Sequence, residues 1–151
     1  MTVLLSIRPD FAERIFNGTK RFEFRRRIPK HNVTRIVVYV TSPVCRVVGE
    51  FAVDAVLHDD LEYLWQQTRN RAGITEELFY KYFSDKNTGY AFQIGETLKY
   101  EYQHCIREGY GLQPPQSFIY LTCAIHPRRS VKLQSCTTLL ALHHQADHTK
   151  A

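Results

Sequence analysis

The first 121 residues alternate between two hydrophobic patterns, one typical of β-strands and one of short helices. Apolar residues at i, i+4 spacing predict helices over residues 10–17, 61–68 and 76–83. Gly18 is placed to end the first helix, and Thr75 to cap the third. Strand patterns, which are period-two or rich in β-branched residues, occur at residues 3–7, 21–27, 35–41, 47–57, 90–94, 97–102 and 117–121.

These elements do not follow a regular βαβ order, which excludes a doubly wound sheet. We therefore predict an α+β fold, a small β-barrel of five to seven strands with two or three short flanking helices. Within the strand at 47–57, Gly49 is expected to mark a bulge or a close backbone approach.

The chain has 151 residues, which fits one domain. Strong periodicity ends near residue 121, so we predict a domain over residues 1–121. Residues 122–151 are expected to form a C-terminal extension, partly helical at 137–143 or frayed.

Composition excludes several classes of protein and site. No apolar stretch approaches the ~18–20 residues of a membrane span, and no secretory signal is visible. We expect a cytoplasmic protein with reduced thiols, because none of its four cysteines lies in a C-x-x-C pair. His143, His144 and His148 lack the acidic partner of a zinc motif, so neither a metal nor a cofactor is expected.

The net charge of +5 is unevenly distributed along the chain. Residues 1–35 carry +6, residues 36–102 carry −4 and residues 103–151 carry +3. A basic block of this kind attracts polyanions, of which nucleic acid is the commonest in cells. The alternative is a solvated basic face. The concentration of arginines on the predicted strand at 21–27 favours a binding site.

Residues 18–25 read G-x-K-x-x-E-x-R, placed after a predicted helix and at the start of a strand. This motif resembles the signature of the ASCH domain, a branch of the PUA-like β-barrel superfamily. Four further segments fit the same resemblance in order: residues 5–9, 39–43, 48–51 and 114–118. The resemblance covers residues 1–121 and implies a PUA-like barrel with a cleft for RNA or a nucleotide-like ligand.

Together the resemblance and the charge pattern predict binding of RNA or a modified nucleotide in a cationic cleft. Lysine and arginine would contact phosphates, while aromatic rings would stack on bases. Considered alone, an aromatic residue is more often part of a core. The candidate binding residues are Arg8, Lys20, Arg25, Arg27, Tyr39, Ser42, Tyr90, Ser117 and Phe118.

Two other functions stay open at this point. One is a hydrolase acting on RNA or a modified nucleoside in the same cleft, with Lys20 and Glu23 as its catalytic residues. In a binding module, Glu23 would instead pair with Arg25. The other is a regulatory domain whose ligand is not nucleic acid. The sequence predicts no oligomeric state.

A fourth activity belongs to similar barrels that remove an acyl group from a modified cytidine. These use a lysine, a threonine three residues later and a distant glutamate. Lys20 matches the lysine, but Glu23 occupies the threonine position and residues 68–72 read Thr-Arg-Asn-Arg-Ala. That chemistry is therefore not carried over to this chain.

Overall fold

A six-stranded mixed sheet organises residues 1–122, the part of the chain that the computed structural model describes. Its strands are β1 (Thr2–Ile7), β2 (Phe22–Arg25), β3 (Arg35–Val40), β4 (Arg46–Asp60), β5 (Thr88–His104) and β6 (Phe118–Leu121). They lie in the order β2-β5-β4-β3-β1-β6. Strands β1 and β3 are parallel, and the other neighbours are antiparallel.

In the described part of the chain, four α-helices pack around this sheet: α1 (Pro9–Phe16), α2 (Leu61–Thr68), α3 (Glu76–Tyr82) and α4 (Ile106–Tyr110). A single-turn 3-10 helix follows α2 at Arg69–Arg71. The predicted α+β class and strand number are confirmed. Helix α4 was not predicted, since five residues are too few to show a helical period.

The sheet itself is open, which differs from the predicted β-barrel. Within residues 1–122, the end strands β2 and β6 each pair with one neighbour only. Strand β2 instead approaches β1 through a side chain, because the guanidinium of Arg25 donates a hydrogen bond to the carbonyl oxygen of Ser6 at 2.9 Å. This side-chain contact leaves space between the two strands, and the candidate site lies at this opening.

Strands β4 and β5 form one long hairpin. The two strands predicted at 90–94 and 97–102 are a single strand, because a register shift opposite Phe51 and Val53 absorbs Gly95 and Glu96. Gly49 marks a second shift, as predicted, and a Cβ there would lie 2.5 Å from the carbonyl oxygen of Leu98.

The core formed by residues 1–122 has three apolar clusters. One packs α1 against the sheet, and another covers the opposite sheet face beneath α4. In the third, Phe79 of α3 and Phe83, the residue that follows the helix, contact Phe24 of β2, with ring centroids 5.1 and 6.4 Å from that of Phe24. Thr75 caps α3 as predicted, accepting a hydrogen bond from the backbone N–H of Leu78 at 3.2 Å. These contacts fix α3 beside β2.

No helix among the described residues is long and apolar enough to cross a membrane. Cys45 and Cys105 are free thiols. The predicted extension beyond residue 122, with its helix at 137–143 and its histidines, lies outside the described residues.

Candidate functional site

A cavity of about 180 Å³ opens where β1 and β2 separate. Helix α1 forms one wall, and α3 with the loop before it forms another. The charged groups lie on β2 or next to β1 and β2, and both strands and both helices contribute apolar groups. The lining residues are Ser6, Ile7, Arg8, Phe11, Lys20, Glu23, Phe24, Arg25, Ile74, Leu78 and Tyr82. This volume is below the ~300–1,000 Å³ of typical ligand pockets, so it suits one chemical group of a larger ligand.

Lys20 lies at the base of this cavity and is only 1% exposed. Its Nζ donates a hydrogen bond to the carbonyl oxygen of Ala72 at 2.9 Å and lies 3.9 Å from Oε2 of Glu23. The rings of Phe11 and Phe24 lie 5.1 and 4.9 Å from the same nitrogen, within cation–π range. Burial lowers the pKa of Lys20 to about 8, although attraction to Glu23 opposes the shift.

A short segment, residues 71–73, holds Lys20 in this position. Gly73 packs against the Cβ of Lys20 and has a φ of +66°, which favours glycine. Its carbonyl oxygen accepts a hydrogen bond from Nη1 of Arg14 at 2.7 Å. The carbonyl oxygen of Arg71 accepts another from the N–H of Arg21 at 2.8 Å. The loop before α3 and the lysine are therefore fixed together.

Glu23 and Arg25 form the second polar pair of the cavity. Nη2 of Arg25 lies 3.0 Å from Oε1 of Glu23, so the pairing expected of a binding module is present. Oε1 is occupied by this contact, and Oε2 faces Lys20. The buried Nε of Arg25 has no hydrogen-bond partner within the described part of the chain. The carboxylate can accept a proton or a hydrogen bond at Oε2, and Arg25 keeps a donor unused.

Arg8 lies at the rim, with its side chain 62% exposed. Its Nε pairs with Asp10 at 3.3 Å, and its Cζ lies 4.9 Å from the centroid of the Phe11 ring. The cavity thus combines three cations with one carboxylate among its lining residues. This excess of positive charge suits an anionic ligand.

Four of the predicted residues therefore come together: Arg8, Lys20, Glu23 and Arg25. Arg27 does not line the cavity, because β2 ends at Arg25 and Arg27 is exposed beyond it. Ser42 is exposed in the loop between β3 and β4.

Ser117 also lies outside the cavity lining. It is exposed just before β6, and its carbonyl oxygen accepts a hydrogen bond from the N–H of Ser6 at 3.3 Å. Its backbone therefore supports a cavity residue, while its side chain is not part of the site.

The three predicted stacking aromatics lie outside the lining of this cavity. Tyr39 is 4% exposed within the cluster beneath α4, and burial raises the pKa of its hydroxyl. Tyr90 stacks on His58, with ring centroids 4.1 Å apart. Phe118 packs against the core below α1. Each ring is used in packing, the alternative that its strand pattern left open.

Sequence reasoning missed the apolar lining, most notably Leu78 and Tyr82 of α3. The apolar face of this helix contains two adjacent i, i+4 pairs. Phe79 and Phe83 face the core, while Leu78 and Tyr82 face the cavity. Packing against the core needs only one of these two pairs. The second apolar pair on the helix was the signal that could have identified the cavity wall.

A larger depression of about 380 Å³ lies between α2 and α3. Its charged lining residues are Glu62, Arg69 and Glu76, so it lacks an excess of cations. No group of histidine, cysteine or carboxylate side chains suited to hold a metal occurs in residues 1–122. The cavity at Lys20 is the better candidate for an anionic ligand.

The chain is similar to a known protein family and to proteins of known structure. Residues 5–109 match the ASCH domain family. The chain is 32% identical over 124 residues to the ASCH domain-containing ribonuclease of Zymomonas mobilis subsp. mobilis, a match covering 78% of this chain and 82% of that protein. The crystal structure of ASCH from Zymomonas mobilis superposes with a TM-score of 0.75 at 28% identity, covering 93% of this chain and 94% of that one. The large ribosomal subunit protein uL22 of Ureaplasma parvum serovar 3 is 28% identical over 121 residues, 80% of this chain and 39% of that protein.

Proposed function

Because the chain belongs to the ASCH domain family, we propose that it binds RNA or a modified nucleotide in the cavity between β1 and β2. The observation that carries this proposal is the convergence of Arg8, Lys20 and Arg25 on one cavity that also has apolar walls. Cations position a sugar–phosphate chain, and apolar walls accept a base.

The burial of Lys20 inside the cavity distinguishes this site from a generally basic surface. Lys20 is almost fully buried, so only a ligand group that enters the cavity reaches its Nζ. Arg8 is exposed at the rim and contacts parts of the ligand that stay outside. The arrangement supports one group of a nucleotide seated in the cavity, with the rest of the ligand crossing the rim.

Binding can be tested with a fluorescein-labelled single-stranded RNA of ten nucleotides, titrated at fixed salt and followed by anisotropy. We expect Arg8→Ala to weaken binding about three- to tenfold, the size of one lost phosphate contact. The control is Arg46→Ala, which removes the same charge from an exposed position outside the cavity. Equal loss in both variants would contradict a site at the cavity.

A second candidate function, hydrolysis of RNA, is favoured by the pairing of Lys20 with Glu23 and by the name of the Zymomonas relative, a ribonuclease. In this scheme Oε2 of Glu23 accepts the proton of a ribose 2′-hydroxyl as its oxygen attacks the adjacent phosphorus. Arg25 stabilises the charge that develops on the phosphoryl oxygens. Lys20, with a pKa of about 8, donates a proton to the leaving 5′-oxygen.

Glu23→Gln separates hydrolysis from binding, because the amide keeps the shape of the side chain but cannot act as a base. We expect cleavage of the labelled RNA to fall by about 10²–10⁴-fold, while the Kd changes far less. Glu101→Gln, at an exposed position of β5, is the matched control. Absence of cleavage by the wild type, or full cleavage by Glu23→Gln, would eliminate this second function.

A further inference from the structure

Tyr82 occupies the wall of the cavity that faces the buried cations. It is 39% exposed, whereas its helix neighbours Phe79 and Phe83 are both 0% exposed. A tyrosine that served only the core would be buried as they are. Its position on α3 places part of an aromatic ring in contact with both the cavity and the solvent.

The other aromatic rings of the cavity are already engaged by cations. Lys20 lies over Phe24 at 4.9 Å from the ring centroid. Both Lys20 and Arg8 lie over Phe11, at 5.1 and 4.9 Å. No such contact involves Tyr82 within the described residues. Its ring is therefore the aromatic surface of the cavity that is available to a ligand.

The ring is also held in place before any ligand arrives. Tyr82 packs edge-on against Phe83, with centroids 4.8 Å apart, and Phe83 is anchored against Phe24 and Phe79. Just beyond the helix, Asp85 forms an ion pair with Arg26, which follows β2. Helix α3 is thus tied to β2 at the end that carries Tyr82. A preorganised ring loses little conformational entropy on binding.

We propose that Tyr82 is the platform on which an unpaired nucleobase stacks, while the attached phosphate faces the cations. This inference rests on the proposed function, because it assigns the base-binding surface of the same site. Aromatic side chains stack on bases of single strands without regard to sequence, since every base has a π-face. A base inside a duplex is already stacked, so the ligand is a single strand or a free nucleotide.

The hydroxyl of Tyr82 is not required for this role. Burial raises the pKa of the hydroxyl, so the ring stays neutral at physiological pH. The prediction is therefore that Tyr82→Phe keeps the function and Tyr82→Leu loses it. Leucine preserves apolar bulk at the edge of the core, so folding is retained while the π-face is removed.

The contribution of the base can be measured directly by comparing adenosine 5′-monophosphate with ribose 5-phosphate, which carries the same phosphate and no base. Affinities are obtained by NMR titration of wild type, Tyr82→Phe, Tyr82→Leu and the control Tyr80→Leu. Tyr80 is 37% exposed on the same helix but lines the depression between α2 and α3. Thermal unfolding of each variant confirms that it is folded.

We expect the base to improve the affinity of the wild type, Tyr82→Phe and Tyr80→Leu by about 5- to 100-fold. In Tyr82→Leu the advantage should fall below about twofold, with ribose 5-phosphate bound as before. An undiminished advantage in Tyr82→Leu, or equal wild-type affinity for both compounds, would overturn the stacking role alone. If neither compound bound the wild type, the proposed function would fail with it.

Discussion

Lys20 places a positive charge where almost no water reaches it. The hydrogen bond to Ala72, the carboxylate of Glu23 and two aromatic rings compensate for part of the lost hydration. The compensation is incomplete, because the pKa of Lys20 still falls from 10.5 to about 8. A buried charge of this kind costs stability in the free protein, and ionisable groups with strongly shifted pKa values are concentrated at functional sites.

This pKa predicts opposite effects of pH on binding and on stability. Between pH 8 and pH 10.5 the unfolded chain holds a proton on Lys20 that the folded protein has released, so the folded state gains stability as pH rises. The gain is on the order of 3 kcal/mol at ~1.4 kcal/mol per pKa unit. RNA binding should weaken through the same range, because the ammonium is lost.

Both effects are measured against Lys20→Met, which lacks the titrating group. Urea unfolding at pH 7 and pH 10 should show wild type gaining stability relative to the variant. The decline of RNA affinity above pH 8 should be steeper in wild type than in Lys20→Met. Parallel pH profiles for the two proteins would show that Lys20 does not titrate in this range.

The charged residues of the site were predictable, whereas the aromatic ones were not. The motif at residues 18–25 identified Lys20, Glu23 and Arg25 through its resemblance to the ASCH signature. Glu23 and Arg25 lie two residues apart on β2, so their side chains share a face, and Lys20 precedes the strand. Tyr39 lies on a strand, and the sequence pattern of a strand does not show which face of the sheet a helix covers. That depends on α4, whose position no local pattern indicated.

At the scale of elements, the site depends on the segment 71–73 that joins the 3-10 helix to α3. Gly73→Ala should disrupt it, because the new Cβ would lie 2.6 Å from Cγ and 2.9 Å from Cα of Lys20. We expect a loss of stability above ~2 kcal/mol, together with weaker RNA binding.

Gly111→Ala is the matched control for this variant. Gly111 has a φ of +64°, close to the +66° of Gly73, but the Cβ of an alanine there would have no other atom within 4 Å beyond its chain neighbours. The alanine should therefore lower the free energy of unfolding by only ~1–2 kcal/mol, through backbone strain, and leave RNA affinity unchanged. Chemical denaturation and anisotropy titrations compare the two, and equal losses in both would show that contact with Lys20 is unimportant.

Most elements followed from local patterns, but the opening between β1 and β2 did not. Strand and helix periods act over a few residues, and they predicted five of the six strands within a few residues of their bounds. Whether a sheet closes depends on pairing between its two edge strands, which here are β2 and β6 and do not pair within the described residues. Arg25 of β2 instead bonds to Ser6 of β1, a contact over 19 residues that a local pattern does not indicate.

For the whole molecule, the basic block at residues 1–35 divides into several roles. Arg8, Lys20 and Arg25 line the cavity. Others support the fold: Arg14 bonds to Gly73, and Arg35 pairs with the buried Glu50 at 2.6 Å. Net charge alone does not distinguish these roles, because each is set by a partner far along the sequence.

The salt dependence of RNA binding reports how many of these cations contact phosphates. Three contacts predict a slope of about −2 for log K against log salt, at ~0.7 per phosphate neutralised on a single strand. Arg8→Ala should make the slope shallower by about 0.7, and Arg46→Ala should leave it unchanged. A much steeper wild-type slope that neither variant alters would indicate binding by the dispersed basic surface.

The proposed site depends most on Lys20 being the anion-binding group at the base of the cavity. The direct measurement is the Kd of the ten-nucleotide RNA for wild type, Lys20→Met and Lys99→Met at pH 7 and one salt concentration. Both substitutions remove one charge, but Lys99 is exposed on β5 outside the cavity. We predict about 10- to 100-fold weaker binding by Lys20→Met, with a melting temperature no lower than wild type, and less than about twofold change in Lys99→Met. Equal affinities for the two variants would contradict the assignment of the site.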